Sequence, residues 1–518
     1  MQIVHRYTHT CGSWHIELPR VFPHHTPRGH RWFLAAAYLI GGMSRTIMVF
    51  SNKEDMRRLG MSISEIKLAE ALLVAPWVLK VPMAVMVDKA LTLRHGDRYL
   101  RGLATGGFLC AFLCSLNMAL AATWESTTLG GWYILSMLLV VLALMMTEVL
   151  ADTILVRETH QEHSLHQGRG INAMATVQAV GMMIGSLVSG VMMHLWISPL
   201  VFTLEAVACL FVAVVCRSMT STTLGLRHNE IRDTHGEVCT DEEPEIAQDG
   251  PHDGSATSIP RQSLPPRSVG STDDHGIGTR VRATGTNGSG VDRAECPEGY
   301  WGSLAQFVRD NPVPFKLLLM NFISMLIPGT GTISYFFLQD ELGYTILWLG
   351  AIATTAHGVR ILALGVYEIF LRKRQIRRLF VTLQFTEILI QFLPVIVASG
   401  IYKSTGIPAF MFVLSGDVMG EVLDSLRAQP MQIIFSKAGT KAVLFQAGPS
   451  VTSIALVIHS VLDAVVIDLF HVGYDSLGDL ESAAVFCTLL ECTVPIVFML
   501  WLLPNGTIRD VVTRQDRV

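Results

Sequence analysis

The sequence predicts an all-α polytopic membrane protein with twelve transmembrane helices in two six-helix halves. Three observations carry that expectation. Half of the 518 residues are hydrophobic and only 16% are charged, against about 25% charged in globular domains. Mean hydropathy is +0.42, and apolar runs of the roughly 20 residues that cross a bilayer recur along the chain. Charges inside those runs also repeat between the first and second halves.

In order, the apolar runs lie at 32–50, 66–87, 101–122, 131–155, 171–194 and 197–216. Six more lie at 314–337, 345–370, 379–400, 406–426, 443–468 and 481–503. Spans one, three, five and six, and their counterparts in the second half, qualify on apolar content. Spans two, four, eight and ten carry acids or bases, and function is expected there. Between spans six and seven lies a long polar segment. It contains Asp241, Glu242, Glu243 and Glu245, then a stretch rich in Ser, Thr, Gly and Pro. So few apolar residues cannot offset the entropy of ordering, so a disordered tether is expected. The resulting division is a tail at 1–31, a bundle at 32–216, a linker at 217–300, a second bundle at 301–503 and a tail at 504–518.

Lys and Arg in short loops set orientation. The 2–3 loop has Lys89, Arg94, Arg98 and Arg101, and the 8–9 loop has Arg372, Lys373, Arg374, Arg377 and Arg378. The 4–5 loop (Arg157, Arg169), the 10–11 loop (Lys437, Lys441) and the N-terminus are also basic. Loops on the other side are poorer in bases, except 1–2, which holds Lys53, Arg57, Arg58 and Lys67. Both termini and the linker are therefore expected in the cytoplasm, and the sequons at Asn287 and Asn505 would face away from the glycosylating side. The plasma membrane is the expected address, with an organelle membrane as the alternative. The first 30 residues do not resemble a cleaved secretory signal.

A net charge of -4 argues against a nucleic-acid partner. The nine cysteines form no CxxC pair and read as packing residues rather than metal ligands. No cofactor or metal is expected. The scattered histidines make no HExxH pattern and no P-loop is present, which disfavours a membrane enzyme and an ATP-driven pump. No filter-like motif suggests a channel. A receptor built on a transporter fold stays open.

Lys80 and Asp88 are eight residues apart, as are Arg360 and Glu368 of span eight. In each copy an arginine lies ten residues beyond the acid, Arg98 and Arg378. Glu148 and Asp152 of span four are four apart, as are Asp417 and Glu421 of span ten, so each pair shares a helix face. Matching charge in two six-helix halves marks a duplicated, major-facilitator-like carrier. Lys80 and Arg360 lie near mid-helix, where they either contact an anionic substrate or pair with the acids of spans four and ten. His357 lies three residues before Arg360 and either lines the cavity or packs in the core. Glu148, Asp152, Asp417 and Glu421 are candidates for proton coupling or for charge pairing. Asp88, Arg98, Glu368 and Arg378 are expected at a gate or helix-end scaffold.

The stretch APWVLK, then VPMAVMVD and GDRYLR, resembles the folate-biopterin transporter family at Pro76, Trp77, Lys80, Pro82, Asp88, Gly96, Arg98 and Tyr99. A second match, TEVLADTILVRE, carries Glu148 and Asp152, where the family's first acid is usually aspartate. A third, SKAGTKAVLFQAG, is similar to the family's segment entering span eleven, but Lys441 stands at the usual glutamate and the usual proline is absent. The match covers most of both halves, without the termini and linker. It implies a major-facilitator-like carrier of folates or pterins working by alternating access in a lipid bilayer, with proton coupling left open. The departure at Lys441 keeps a carrier of another organic anion or of an amino acid as the alternative.

Overall fold

The computed structural model describes residues 28–92, 96–123, 130–160, 168–195, 197–218, 309, 312–329, 331–372, 374–438, 442–474 and 480–503. Both tails and nearly all of the central linker lie outside the described residues.

The first half begins with α1 (Arg28–Arg58) and α2 (Ile63–Val74). Ser62 starts α2 through a capping box: Glu65 N donates to Ser62 Oγ at 3.3 Å and Ser62 N donates to Glu65 Oε2 at 2.7 Å. Pro76 then tightens Ala75–Leu79 into a 3₁₀ turn, and α3 (Lys80–Thr92) completes the second crossing. The remaining crossings are α4 (Gly96–Ala121), α5 (Gly130–His160), α6 (Arg169–His194) and α7 (Ser198–Ser218).

The second half opens with a broken crossing, α8 (Pro312–Leu326) and α9 (Gly331–Asp340). Pro328 lacks an amide hydrogen, and the ladder stops there. There follow α10 (Ile346–Val366) with a π-helical turn at Tyr367–Leu371, α11 (Ile376–Ala398), the short α12 (Tyr402–Thr405), α13 (Ala409–Ala438), α14 (Ala442–Leu469) and α15 (Leu480–Leu502). Among the described residues these helices make twelve candidate crossings, in the places of the twelve apolar runs. Among the described residues eleven are long and apolar enough by composition to span a bilayer. The twelfth, α13, carries Asp417, Glu421, Asp424 and Arg427.

Three boundaries differ from the sequence reading. Span ten continues as helix through Ala438, so Lys437 belongs to a helix end rather than a loop. Span seven is two helices. Lys53, Arg57 and Arg58 lie in α1 and Lys67 in α2, so the basic 1–2 loop is only a short turn around Gly60.

Bulky apolar side chains cover the outside: Phe211, Leu362, Ile369, Leu389 and Trp501 are each more than 60% exposed. Water would disfavour such a surface, and hydrocarbon accepts it. Inside, glycines let helices touch backbone to backbone. A methyl on Gly42 would strike the Gln178 carbonyl, and one on Gly181 the Leu39 carbonyl, where α1 crosses α6. Between the halves, a Cβ on Gly350 of α10 would stand 2.6 Å from the Gly190 Cα of α6. Gly190→Leu is expected to wedge these helices apart, at about 1–3 kcal/mol. A lowered thermal unfolding midpoint of the purified protein checks this, with Gly41→Leu, at a glycine whose Cβ would meet open space, as the control.

Candidate functional site

A cavity of about 830 Å³ lies between the two halves, within the size range of drug-sized ligands. Its walls come from α1, α2, the Pro76 turn, the start of α3, α5 and α6 on one side and from α8, the start of α9, α13 and α14 on the other.

One wall is built around Trp77. The 3₁₀ turn presents its ring, with the Arg45 guanidinium 4.2 Å and the Lys80 ammonium 4.6 Å from the ring centroid. Cations at these distances are attracted by the ring's quadrupole. Glu148 accepts from Arg45 at 2.8 and 2.9 Å and from Lys80 at 3.1 Å. Lys80 also lies 3.6 Å from Asp152. Asp152 accepts from the Tyr38 hydroxyl and, across the interface, from Gln446 Nε2 at 2.8 Å. Two bases thus meet two acids, and Gln446 joins the network to the opposite half. Lys80 is almost fully buried, whereas the Arg45 side chain is 38% exposed and its Nε has no hydrogen-bond partner.

The second half repeats the pattern but not its exposure. Arg360 pairs with Glu421 at 3.1 Å, the same distance as Lys80 to Glu148. His357 Nδ1 lies 3.7 Å from Glu421 and Arg360 also touches the Met182 sulfur at 3.6 Å. Neither Arg360 nor His357 lines the cavity in this conformation; α10 turns both toward α13 and α6. Asp417 is exposed one turn before Glu421. Nearer the cavity, Arg427 pairs with Glu387 and donates to Gln384 at 3.2 Å.

A second polar cluster sits toward the end of the bundle opposite the termini. Lys67 bridges Glu70 at 3.0 Å and, across the halves, Asp463 at 2.9 Å. Lys53 lies 3.6 Å from Glu70, which also accepts from Thr332 at 3.2 Å. Beyond it the halves are joined by Arg57 and Asp340 at 2.9 Å and by the Tyr474 hydroxyl on the Met61 carbonyl at 3.2 Å. Burial pushes the Tyr474 hydroxyl up to about 12, so it stays a donor at neutral pH.

At the opposite end, Glu368 accepts from Arg372 at 2.6 Å and lies 3.6 Å from Arg169 of the other half. Asp88 is half-buried at the end of α3, and Arg98 and Arg378 are exposed at helix starts. The structure therefore brings Lys80, Glu148 and Asp152 together, and separately Arg360, His357 and Glu421. It leaves Asp88, Arg98 and Arg378 away from both groups of contacts.

Sequence reasoning missed Arg45, Trp77 as a cation platform, and Lys53 and Lys67 as interior groups. Arg45 was visible as a charge within an otherwise apolar run, the same signal that singles out Lys80. Lys53 and Lys67 were assigned to a loop because hydropathy places charges at span ends.

The BT1 family model matches residues 41–518. The chain belongs to the BT1 family. This is the folate-biopterin transporter family whose motifs fall on Pro76–Tyr99. Among characterised relatives, Folate transporter 1 of Plasmodium falciparum (isolate 3D7) is 24% identical over 195 residues, covering 37% of this chain and 38% of the relative. Putative folate transporter 2 of Plasmodium berghei (strain Anka) is 26% identical over 131 residues, covering 25% of this chain and 29% of the relative. The matches thus span well under half the length of these relatives. Among solved structures, a D-xylose–proton symporter aligns with TM-score 0.56 and 10% identity, over 92% of this chain and 98% of that one. The nucleoside transporter NupG aligns with TM-score 0.53 and 11% identity, over 91% and 98%. These likenesses show the major-facilitator fold for this BT1 member, and its long apolar helices make it a multi-pass membrane protein.

The Arg360–Glu421 pair is part-buried, so removing one partner leaves a charge uncompensated. Glu421→Gln is expected to cost about 1–3 kcal/mol, and Arg360→Met with Glu421→Leu to recover most of it. Thermal unfolding of the two variants checks this.

Proposed function

We propose that this BT1 member carries folate- or pterin-type organic anions across a membrane by alternating access. The observation that supports this most strongly is the Arg45–Trp77–Lys80 wall of the central cavity. A planar heteroaromatic ring with a pendant carboxylate suits an aromatic platform beside a part-exposed guanidinium. Arginine binds a carboxylate in a two-pronged fashion that a point charge cannot. Lys80 acts on the same anion by keeping Glu148 and Asp152 neutralised, and takes over contact when the halves rearrange. Arg360 and His357 hold the matching place in the second half and reach substrate in another conformation.

Transport is coupled to protons. Glu148 and Asp152 are the leading carriers because they face the cavity, with Asp417 and Glu421 as their counterparts. Asp88, Arg98, Glu368 and Arg378 work at the gate on the side of the termini, where Glu368 already meets Arg169. Loop charges support cytoplasmic termini, and the plasma membrane is the proposed site. A second reading, a carrier of another small organic anion or an amino acid, rests on the departure at Lys441.

Uptake of labelled folate, biopterin and amino acids by a transport-deficient host expressing the full chain tests these readings. Saturable uptake of folate or biopterin is expected, and its absence alongside amino-acid uptake would favour the second reading. Arg45→Ala is expected to lower uptake about 10–100-fold at unchanged surface expression, since a hydrogen bond to a charged group contributes about 1.5–3 kcal/mol. Uptake equal to wild type in this variant removes Arg45 from the site. A protonophore is expected to lower accumulation; indifference to it removes proton coupling.

A further inference from the structure

The break between α8 and α9 leaves backbone groups inside the membrane without a helical partner, and α14 supplies them. Gly329 N donates to Asp463 Oδ1 at 2.8 Å, and His459 Nδ1 stands 2.5 Å from the Ile327 carbonyl oxygen. A carbonyl only accepts, so Nδ1 must carry the hydrogen. The other ring nitrogen, Nε2, lies 3.3 Å from Asp463 Oδ2. That oxygen also faces the Lys67 ammonium at 2.9 Å while Oδ1 accepts from Gly329 N, surroundings that suit an ionised carboxylate. Both nitrogens of His459 thus face acceptors. A neutral imidazole has one N–H and satisfies one of them; only the imidazolium satisfies both.

The surroundings fit a bound positive charge. From α1 comes Lys53, from α2 Lys67 and Glu70, and from α14 itself Asp463. From α15, Glu491 crowds the same glycine: a Cβ on Gly329 would meet Glu491 Oε1 at 3.3 Å and His459 Cε1 at 3.4 Å. Glu387 of α11 acts on Glu491 from further away. With His459 charged, three cations face the three carboxyl groups Glu70, Asp463 and Glu491. His459 also lines the cavity, so water reaches the ring.

We propose that His459, held between the Ile327 carbonyl and Asp463, is a proton-binding site that controls closure of the end of the bundle opposite the termini. The ligand is one proton, taken from cavity water onto the imidazole and returned to it. With the proton bound, α14 grips the α8–α9 break, and Asp463 stays in place to bridge Lys67 across the halves. When the proton leaves, a nitrogen lone pair faces an acceptor oxygen. One contact is lost and the far end loosens. This rests on the carrier reading only in that closure serves transport, and the site is separate from Glu148 and Asp152.

The test uses the full chain in lipid nanodiscs, with native cysteines replaced and spin labels at Leu68→Cys and Trp348→Cys. These exposed positions lie on α2 and α10 in opposite halves. Distances are measured from about pH 5.5 to about pH 8, the range in which histidine side chains change charge. Wild type is expected to shift to longer distances as pH rises, and His459→Gln, His459→Asn and Asp463→Asn to lose the shift. Two histidine variants guard against misfolding of one. A wild type that does not move with pH overturns the proposal, as does a histidine variant that moves like wild type. In proteoliposomes, His459→Gln is expected to keep biopterin exchange at equal pH but lose pH-driven accumulation. No biopterin or folate uptake by wild type, with the distance shift intact, would sink the substrate reading and leave the proton site standing.

Discussion

Charge inside hydrocarbon must be met by opposite charge or by hydrogen bonds, and the interior of this protein is arranged around that requirement. A lone ion at the bilayer centre costs at least ~2.5 kcal/mol. The bases of α1, α2 and α3 are therefore turned inward to the acids of α5 and α14. Arg45 and Lys80 share Glu148, and Lys67 reaches Asp463 across the two halves. The apolar exterior and the polar cavity are two sides of the same constraint.

The twofold repeat survives in geometry more than in surroundings. Lys80 to Glu148 and Arg360 to Glu421 are ion pairs of equal length on corresponding helices. The first lies against the cavity beside an aromatic ring; the second is set against α6 with a histidine and a methionine sulfur. Only the first pair borders the cavity. Each end of the bundle is joined across the halves by a small number of polar contacts, such as Arg57 with Asp340 at one end and Arg169 with Glu368 at the other. These polar contacts flank a close helix packing between the halves, where Gly190 meets Gly350.

The membrane crossings were legible because spanning length and apolar content are local properties. The interior sites were only partly so. Lys80, Glu148 and Asp152 stood out as charges in apolar runs, and they do converge. Arg45 carried the same signal but had no counterpart in the repeat. Lys53 and Lys67 looked like loop residues because a hydropathy profile reports position along a helix and not the direction a side chain takes. Asp463 is likewise a charge within an apolar run, with His459 one turn before it, but the chain does not show that both meet the α8–α9 break more than 130 residues earlier.

The sequence by itself determined the class of the protein. Its apolar runs point to a bundle of membrane-crossing helices, its repeated charges to two related halves, and the Pro76–Tyr99 motif to the family. Only the tertiary structure decided which charges meet. An ion pair is a distance between helices, and a one-dimensional pattern records the faces available for pairing but not the rotation and packing that select among them. For that reason Lys80 and Arg360, alike in sequence, part company in space. One borders the cavity; the other is turned away from it.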